Sequence, residues 1–482
     1  MKPVLLIHGY SSEGKSNSSE DIYGSLPTDL RKTLGQSKVI ELNLSRWISL
    51  SDGVRIDDVS YAMDRALRSG FSKLLKDGFH VIVHSTGALV VRNWLKNHSP
   101  KPSPIENIVH LAGANFGSGL AHVGKGQLSR WSRQILHHTG RGKHVLRELE
   151  FGAWKTLDLH AYFLQPGNSL YHDFNVQEYC VSGSHIEDPL RLVPIRYIKE
   201  DSSDNTVRTS ACNLNFQYCE VKSVDQTLQL SVSKLKDLVA LRLDNETIDD
   251  NNYAIETLAP TTATPAIPFA IPYKTSHFGN EVGIVNGENN RGEILDLITL
   301  ALRTPNDPDA YGKTEKAYAA HTQRTLTRVG NLKPKKMGWN RQHSYEGHSQ
   351  LILRIRDQYG EGLNTYDVTF RSVNVGQKTA LETLIEDRHA NSDNDGTVTF
   401  YFRTQQFIEK TKQWRNRLDT IAPMHIEITG SEINAQEINF VPLNLRLSAK
   451  EMQQLFKPFQ TTVMDIEMVR LPKSDVFSIK KG

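Results

Sequence analysis

The residues with the clearest chemical potential surround Ser85. An apolar run at 79–83 leads into His84-Ser85-Thr86-Gly87, and a second apolar segment follows at 88–91. A serine on a sharp turn between a buried strand and a helix exposes its hydroxyl, and the next backbone N–H lies at the positive end of the helix. Ser85 is therefore a candidate nucleophile, and Thr86 N–H is a candidate donor to the oxyanion formed when a carbonyl is attacked. Val83 replaces the first glycine of the usual Gly-x-Ser-x-Gly pattern.

A serine hydroxyl needs a base to take its proton and a carboxylate to orient that base. His277 is the only histidine between Asp204 and residue 305. It follows a proline-rich loop at 259–272 and precedes an amphipathic segment at 291–303, where this chemistry places its histidine. We predict that His277 is the base.

The acid is predicted from Ser203-Asp204-Asn205-Thr206-Val207, where a short turn and a β-branched residue would fix a carboxylate at the end of a strand. Asp204 is the first choice, and Asp201 and Asp188 are its rivals. The alternative is that Asp204-Asn205 only forms a turn.

The second oxyanion donor is expected in the loop after the first strand, where Tyr10 N–H follows His8-Gly9. The same stretch, 9–16, fits the phosphate-loop spacing Gly-x4-Gly-Lys-Ser. That alternative predicts a nucleotide hydrolase. It requires a helix that opens at Lys15, but residues 16–21 carry no apolar face.

The surrounding pattern predicts the elements that would position these residues. Apolar strands at 3–7, 38–44, 79–84, 105–111 and 178–183 alternate with helical segments at 56–75 and 86–97. This alternation favours a parallel sheet covered by helices on both faces. Residues 116–175 hold seven Lys/Arg against three acids up to residue 166 and are predicted to be an inserted helical cap or lid. A solvated helical excursion is the alternative.

The C-terminal part has a different pattern. Residues 306–345 are polar, with eight Lys/Arg against three acids, and are predicted to be a linker. Short alternating strands then recur through 346–482, which is typical of a β-sandwich.

Composition narrows the class of protein. A chain of 482 residues predicts two or three domains, and a net charge of +3 does not demand a nucleic-acid partner. The three cysteines suggest no disulfide framework and lack metal-ligand spacing. The predicted serine chemistry needs no metal or organic cofactor, so none is expected. No apolar run approaches the ~20 residues of a membrane span. With no signal peptide after Met1, a cytoplasmic location is expected.

Residues 1–305 resemble the α/β-hydrolase lipases and esterases. The motifs that carry the resemblance are His8-Gly9-Tyr10, Val83-His84-Ser85-Thr86-Gly87, Ala114-Asn115-Phe116-Gly117-Ser118, Ser203-Asp204-Asn205-Thr206-Val207 and His277. The resemblance implies a Ser85–His277–Asp204 triad with Tyr10 and Thr86 as oxyanion donors. Val83 and Asn205 depart from the commonest motifs. The C-terminal region is loosely similar to sandwich modules with which some lipases meet lipid or a protein partner.

These expectations combine into one function. The chain is predicted to be a serine hydrolase that cleaves carboxylic esters of lipids, as a lipase or phospholipase does, with peripheral membrane contact. Signal-less lipases of this kind also occur as effectors of bacterial secretion systems, so export by that route is a further expectation. The rival classes are the nucleotide hydrolase and a non-catalytic interaction protein that keeps the hydrolase fold.

Overall fold

The structure, a computed structural model, describes residues 1–7, 23–49, 51–124, 142–186, 196–223, 253–257, 265–333, 341–432 and 437–472. The chain divides into two compact units. The first comprises Met1–Asn215, Pro260–Gly347 and Gln406–Arg415, and the second comprises Phe216–Ala259, His348–Gln405 and Asn416–Gly482.

A six-stranded parallel sheet forms the centre of the first unit, in the order β2-β1-β3-β4-β5-β8. Its strands are β1 Val4–Ile7, β2 Val39–Leu42, β3 Phe79–His84, β4 Ile105–Leu111, β5 Gln177–Val181 and β8 Phe269–Ala270. Its helices are α1 Leu26–Leu34, α2 Ile56–Gly70, α3 Ser72–Asp77, α4 Gly87–Asn97, α5 Gly119–Gly124, α6 Lys143–Leu149, α7 Trp154–Tyr162, α8 Thr209–Cys212, α9 Arg291–Arg303 and α10 Pro308–Gly330.

The apolar runs of the sequence become the innermost strands. Every residue of β1 and β3 is buried, as expected for parallel strands covered on both faces. The helical segment predicted at 56–75 is two helices, because the chain breaks at Phe71 between α2 and α3. The predicted alternation of parallel strands and helices is confirmed.

Helices are also found within the predicted cap at 116–175. In its described residues, α7 packs against α4, the helix that follows Ser85. The α6 end of this segment is tied to α2, since Glu148 accepts a hydrogen bond from Ile56 N at 2.8 Å. This part of the insertion thus adds to the helical layer beside the sheet.

The segment predicted to be a linker, 306–345, is largely the 23-residue helix α10. Asp307 caps its first turn, accepting a hydrogen bond from Ala310 N at 2.8 Å, and Pro308 occupies the first helical position. Tyr311 and Tyr318 are 2% and 0% exposed and belong to the core of the sheet. The linker prediction is wrong because tyrosines and threonines, which read as polar, form the buried stripe of this helix.

The second unit contains two sheets. One has the order β11-β12-β9-β18-β6-β7, and in the other β10, β15, β16 and β19 follow in order while β17 pairs with β15. Their strands are β6 Gln217–Ser223, β7 Tyr253–Thr257, β9 His348–Asp357, β10 Thr365–Ser372, β11 Ile385–Ala390, β12 Thr397–Arg403, β15 Met424–Ser431, β16 Ile438–Phe440, β17 Leu443–Leu447, β18 Thr461–Met468 and β19 Arg470–Pro472. The helix α11 Ala449–Leu455 also belongs to this unit, whereas a hairpin of β13 Gln405–Ile408 with β14 Gln413–Asn416 lies mostly in the first unit.

Apolar residues of both sheets form one hydrophobic cluster, so these strands are two layers around a common core. The predicted boundary at 346 differs from that of the structure, because β6 pairs in parallel with β18. A buried ion pair between Arg354 and Asp465 links β9 to β18, and Tyr218 of β6 donates its hydroxyl to Asp465. Residues 217–223 thus belong to the C-terminal sheet.

Among the described residues, none of the helices has both the length and the apolar character that crossing a bilayer requires.

Candidate active site

Ser85 occupies the turn between β3 and α4 in a left-handed conformation, with φ 54°. A residue other than glycine adopts this conformation at a cost, and such strain is concentrated at functional sites. Backbone hydrogen bonds to the end of β4 and the residues after it hold the turn: Ser85 N donates to Leu111 O at 3.2 Å, and Ser85 O accepts from Ala114 N at 3.2 Å. Thr86 N–H lies at the start of the helix, where backbone donors have no intrahelical acceptor.

Asp204 and His277 are in direct contact. Asp204 Oδ2 is 2.8 Å from His277 Nδ1, and His277 N donates to Asp204 O at 2.9 Å. Both side chains are fully buried. The contact fixes the ring so that Nε2 is the nitrogen available for proton transfer. Nε2 has no hydrogen-bond partner among the described residues.

The histidine ring lies beside the serine turn. The ring of His84, the residue before Ser85, is 4.7 Å from the ring of His277, and the Phe278 ring contacts both, at 5.5 Å from His84 and 4.5 Å from His277. The structure therefore brings together the strand end that carries Ser85, the loop that carries His277 and the loop that carries Asp204.

The acid loop is a tight hairpin whose backbone points at the carboxylate. Asp204 Oδ1 accepts from Thr206 N at 3.1 Å and from Val207 N at 2.7 Å. Asn205 has φ 72°, so the asparagine that replaces the usual glycine adopts the left-handed conformation itself. These two donors fix the orientation of the carboxylate. Asp201 is not the residue paired with His277.

The segment after β4 supports the acid loop. Asn115 Nδ2 donates to Cys212 O at 2.8 Å, Phe116 N donates to Ala211 O at 3.0 Å, and Ser118 donates its hydroxyl to Thr206 O. The Asn-Phe-Gly-Ser run singled out in the sequence is thus a brace for the loop that holds Asp204.

Gly183 is a site residue that the sequence reasoning missed. A Cβ on Gly183 would lie 2.5 Å from Thr275 O and 2.8 Å from Asp204 Cβ. Only glycine lets the acid loop and the histidine loop approach so closely beyond the end of β5. The signal was a glycine at the end of the strand predicted at 178–183, two residues beyond the observed end of β5.

A buried charge cluster lies behind the serine helix. Arg92 of α4 donates to both carboxylate oxygens of Glu178, at 2.7 and 2.6 Å, and His110 Nε2 is 3.0 Å from Oε1. Burial by itself would raise the pKa of Glu178, but Arg92 and His110 lower that pKa to about 2. A buried charge needs such partners, so the cluster ties α4 to β4 and β5.

The cysteines are free and buried. Burial raises the pKa of the Cys212 thiol, and the nearby Asp204 charge raises it further. A neutral, buried thiol is not a competing nucleophile.

Several predicted positions lie outside the described residues: Tyr10, the phosphate-loop alternative at 9–16, and Asp188. In the part of the chain that the structure describes, no group of three or more His, Cys, Asp or Glu is arranged to hold a metal ion.

Neither a protein-family model nor a curated protein sequence matches the chain. The solved structure of the phospholipase PlaB from Legionella pneumophila does match, with a TM-score of 0.78 over 100% of this chain and 96% of that chain, at 22% sequence identity. The two proteins share one fold. PlaB in complex with thio-NAD gives a TM-score of 0.77 at 20% identity, over 100% of this chain and 97% of that one.

The similarity to PlaB extends through both units, because it covers the whole chain. With the parallel sheet and its flanking helices, it confirms the predicted α/β-hydrolase fold with a sheet-rich C-terminal region. The mature lipase BlEst2 from Bacillus licheniformis matches over 44% of this chain and 80% of that one, at 16% identity and a TM-score of 0.33, a similarity too partial to support an argument.

Proposed function

We propose that the protein is a serine hydrolase that cleaves carboxylic esters of lipids. The observation that carries the proposal is the buried Asp204–His277 pair, 2.8 Å apart, beside a serine turn with φ 54°. Aspartate, histidine and a strained serine between a strand and a helix are the parts that acyl transfer requires.

The chemistry follows from these positions. Ser85 Oγ attacks the ester carbonyl carbon while His277 Nε2 takes the hydroxyl proton. Asp204 holds the ring tautomer and stabilises the imidazolium, and Thr86 N–H donates to the developing oxyanion. The carbonyl re-forms as the C–O bond to the alcohol breaks, and His277 returns the proton to the departing alcohol. Water, deprotonated by His277, then releases the acid from Ser85. Tyr10 N–H is the proposed second oxyanion donor.

The proposed substrate is a phospholipid or a related lipid ester. Support comes from the fold shared with a phospholipase over 100% of this chain and 96% of that chain. Peripheral contact with a membrane, a protein partner for the second unit and a cytoplasmic location with secretion-system export remain parts of the same proposal.

The test is covalent labelling followed by product analysis. A fluorophosphonate probe should label the wild-type protein and Ser51→Ala, which alters an exposed serine, but not Ser85→Ala. Mass spectrometry of phospholipid vesicles incubated with each protein should show released fatty acid with the first two only. A folded wild-type protein that neither reacts with the probe nor releases fatty acid would overturn the proposal and favour a non-catalytic interaction protein. Magnesium-dependent ATP turnover that survives Ser85→Ala would favour the nucleotide hydrolase.

A further inference from the structure

We propose that the short helical turn His343–Tyr345, defined here as the clamp, positions the Asp204–His277 pair by holding the acid loop and the histidine loop together. The inference rests on the proposed function and names residues that act through the pair. It concerns a part of the first unit that the sequence assigned to a linker.

The clamp holds the acid loop through one carbonyl. Ser344 O accepts from Ser202 N at 3.1 Å, and it also accepts the hydroxyl proton of Ser184. Ser202 stands two residues before Asp204, in a left-handed conformation with φ 54°, and its own carbonyl accepts from Thr209 N at 2.9 Å. The contact therefore fixes the base of the hairpin that carries Asp204.

The histidine loop is held by the next residue of the clamp. Tyr345 Oη accepts from Lys274 N at 2.8 Å. Lys274 stands three residues before His277 and has φ 49°, a conformation that a lysine adopts only when its surroundings impose it. The Tyr345 ring also stacks on Tyr273, with centroids 6.4 Å apart and planes 21° apart.

The clamp is itself anchored. Gln342 Nε2 donates to Val329 O at 3.2 Å and to Leu332 O at 3.0 Å, which fixes the clamp to the C-terminal end of α10. Tyr345 and Ser344 are each 2% exposed. Two adjacent buried residues thus bond to two loops whose side chains must meet at 2.8 Å, and a displacement of about 1 Å in such a contact can cost on the order of 100-fold in rate.

Tyr345→Phe tests the clamp, because it keeps the ring and removes only the acceptor for Lys274 N. Tyr318→Phe is the matched control, since Tyr318 is equally buried and its hydroxyl donates to Leu297 O at 2.8 Å, away from both loops. Each variant removes one buried hydroxyl, so we expect similar falls in melting temperature. The substrate is p-nitrophenyl butyrate, a soluble ester. In Tyr345→Phe, kcat should fall about 10- to 100-fold while KM stays near the wild-type value. In Tyr318→Phe, kcat should stay at the wild-type value.

A spectroscopic readout separates this inference from the proposed function. The proton between His277 Nδ1 and Asp204 should give a downfield NMR resonance, assigned by its loss in His277→Asn. We expect the resonance to shift or broaden in Tyr345→Phe and to stay in place in Tyr318→Phe. This comparison decides the inference even if the wild-type protein hydrolyses no ester.

Ser184→Ala, which removes the hydroxyl that donates to Ser344 O, provides a second variant should Tyr345→Phe fold poorly. Like Tyr345→Phe, it should lower kcat and shift or broaden the resonance. In the double variant, the fold-loss of kcat should be smaller than the product of the losses in the two single variants, because both loops depend on one clamp. The inference is overturned if Tyr345→Phe and Ser184→Ala match Tyr318→Phe in kcat and in the position of the resonance.

Discussion

At the scale of single residues, the sequence predicted the partners of Ser85 by order and position, and it placed Asp204 ahead of Asp201 without excluding Asp201. The two aspartates are three residues apart on one polar loop. The choice is made by the backbone of the hairpin, which directs Thr206 N and Val207 N at Asp204 Oδ1 and leaves Oδ2 for His277. Hydrogen bonds of this kind depend on loop conformation, which residue types alone do not determine.

Asp204→Asn should therefore reduce kcat by about 10⁴-fold, the loss typical of a triad whose histidine is left in the wrong tautomer. The asparagine amide oxygen still accepts from the two backbone donors, so the fold should persist. The amide nitrogen cannot accept the His277 Nδ1 proton, so the ring loses its tautomer. Asp201→Asn is the matched control and should keep activity. Burst and steady-state kinetics with a soluble ester measure both, and equal losses in the two variants would contradict the assignment.

Gly183→Ala should lower the free energy of unfolding and the rate at which Ser85 reacts. A methyl group there must displace the Thr275 carbonyl or the Asp204 side chain, an overpacking that costs about 1–3 kcal/mol. Gly312 lies in the second turn of α10, and a Cβ there would meet no atom of a neighbouring element within 4 Å, so Gly312→Ala should be neutral or stabilising. Denaturant unfolding and the rate of fluorophosphonate labelling give the two readouts. A Gly183→Ala protein as stable and as reactive as Gly312→Ala would show that the loops tolerate separation.

At the scale of elements, strong periodic signals predicted the parallel sheet, because strands such as β3 are buried on both faces and read as continuous apolar runs. The helix α10 was missed although its buried positions Tyr311, Thr314, Tyr318, Thr325 and Val329 recur at helical spacing. The hydroxyl groups of these tyrosines and threonines look polar in a sequence, yet Tyr311 and Tyr318 each donate to a buried backbone carbonyl. Burial of a tyrosine depends on a partner elsewhere in the fold, which the local sequence does not contain.

Tyr318→Ala distinguishes a core helix from a linker. Loss of a fully buried aromatic ring should lower the free energy of unfolding by about 3–5 kcal/mol. Lys316→Ala, on the exposed side of the same helix, should change it by no more than about 0.5 kcal/mol. Chemical denaturation of both variants is the measurement, and a small effect of Tyr318→Ala would restore the linker interpretation.

At the scale of the whole molecule, buried histidines make the fold sensitive to acid. His80 of β3 is 4% exposed, and burial lowers its pKa to about 4. In the unfolded chain a histidine titrates near about 6.5, so between pH 6.5 and 4 the unfolded state binds a proton that the folded state refuses. Stability should fall over that window by about 1.4 kcal/mol per pH unit on account of His80 alone.

His80→Gln removes this dependence. The free energy of unfolding of the variant should therefore decline less steeply than that of the wild type below pH 6.5, and the two curves should run parallel above pH 7. Urea unfolding at a series of pH values gives both slopes. Identical slopes below pH 6.5 would show that the folded protein protonates His80 as easily as the unfolded chain does.

The last consequence concerns how the chain is divided. A protein that ends at residue 345 keeps β6 but loses β18, its parallel neighbour. Cys219 and Val221 of β6, which are fully buried, then lose most of the hydrophobic cluster that covers them. We expect this fragment to aggregate or to bind the dye ANS, because a buried parallel strand without its neighbours exposes apolar side chains and unpaired backbone groups. Co-expression with 346–482 should restore soluble material, since that fragment supplies β9, β18 and the second sheet. A soluble, monomeric 1–345 fragment that binds no dye would instead show that 217–223 is stable apart from the C-terminal strands, as the predicted boundary at 346 requires.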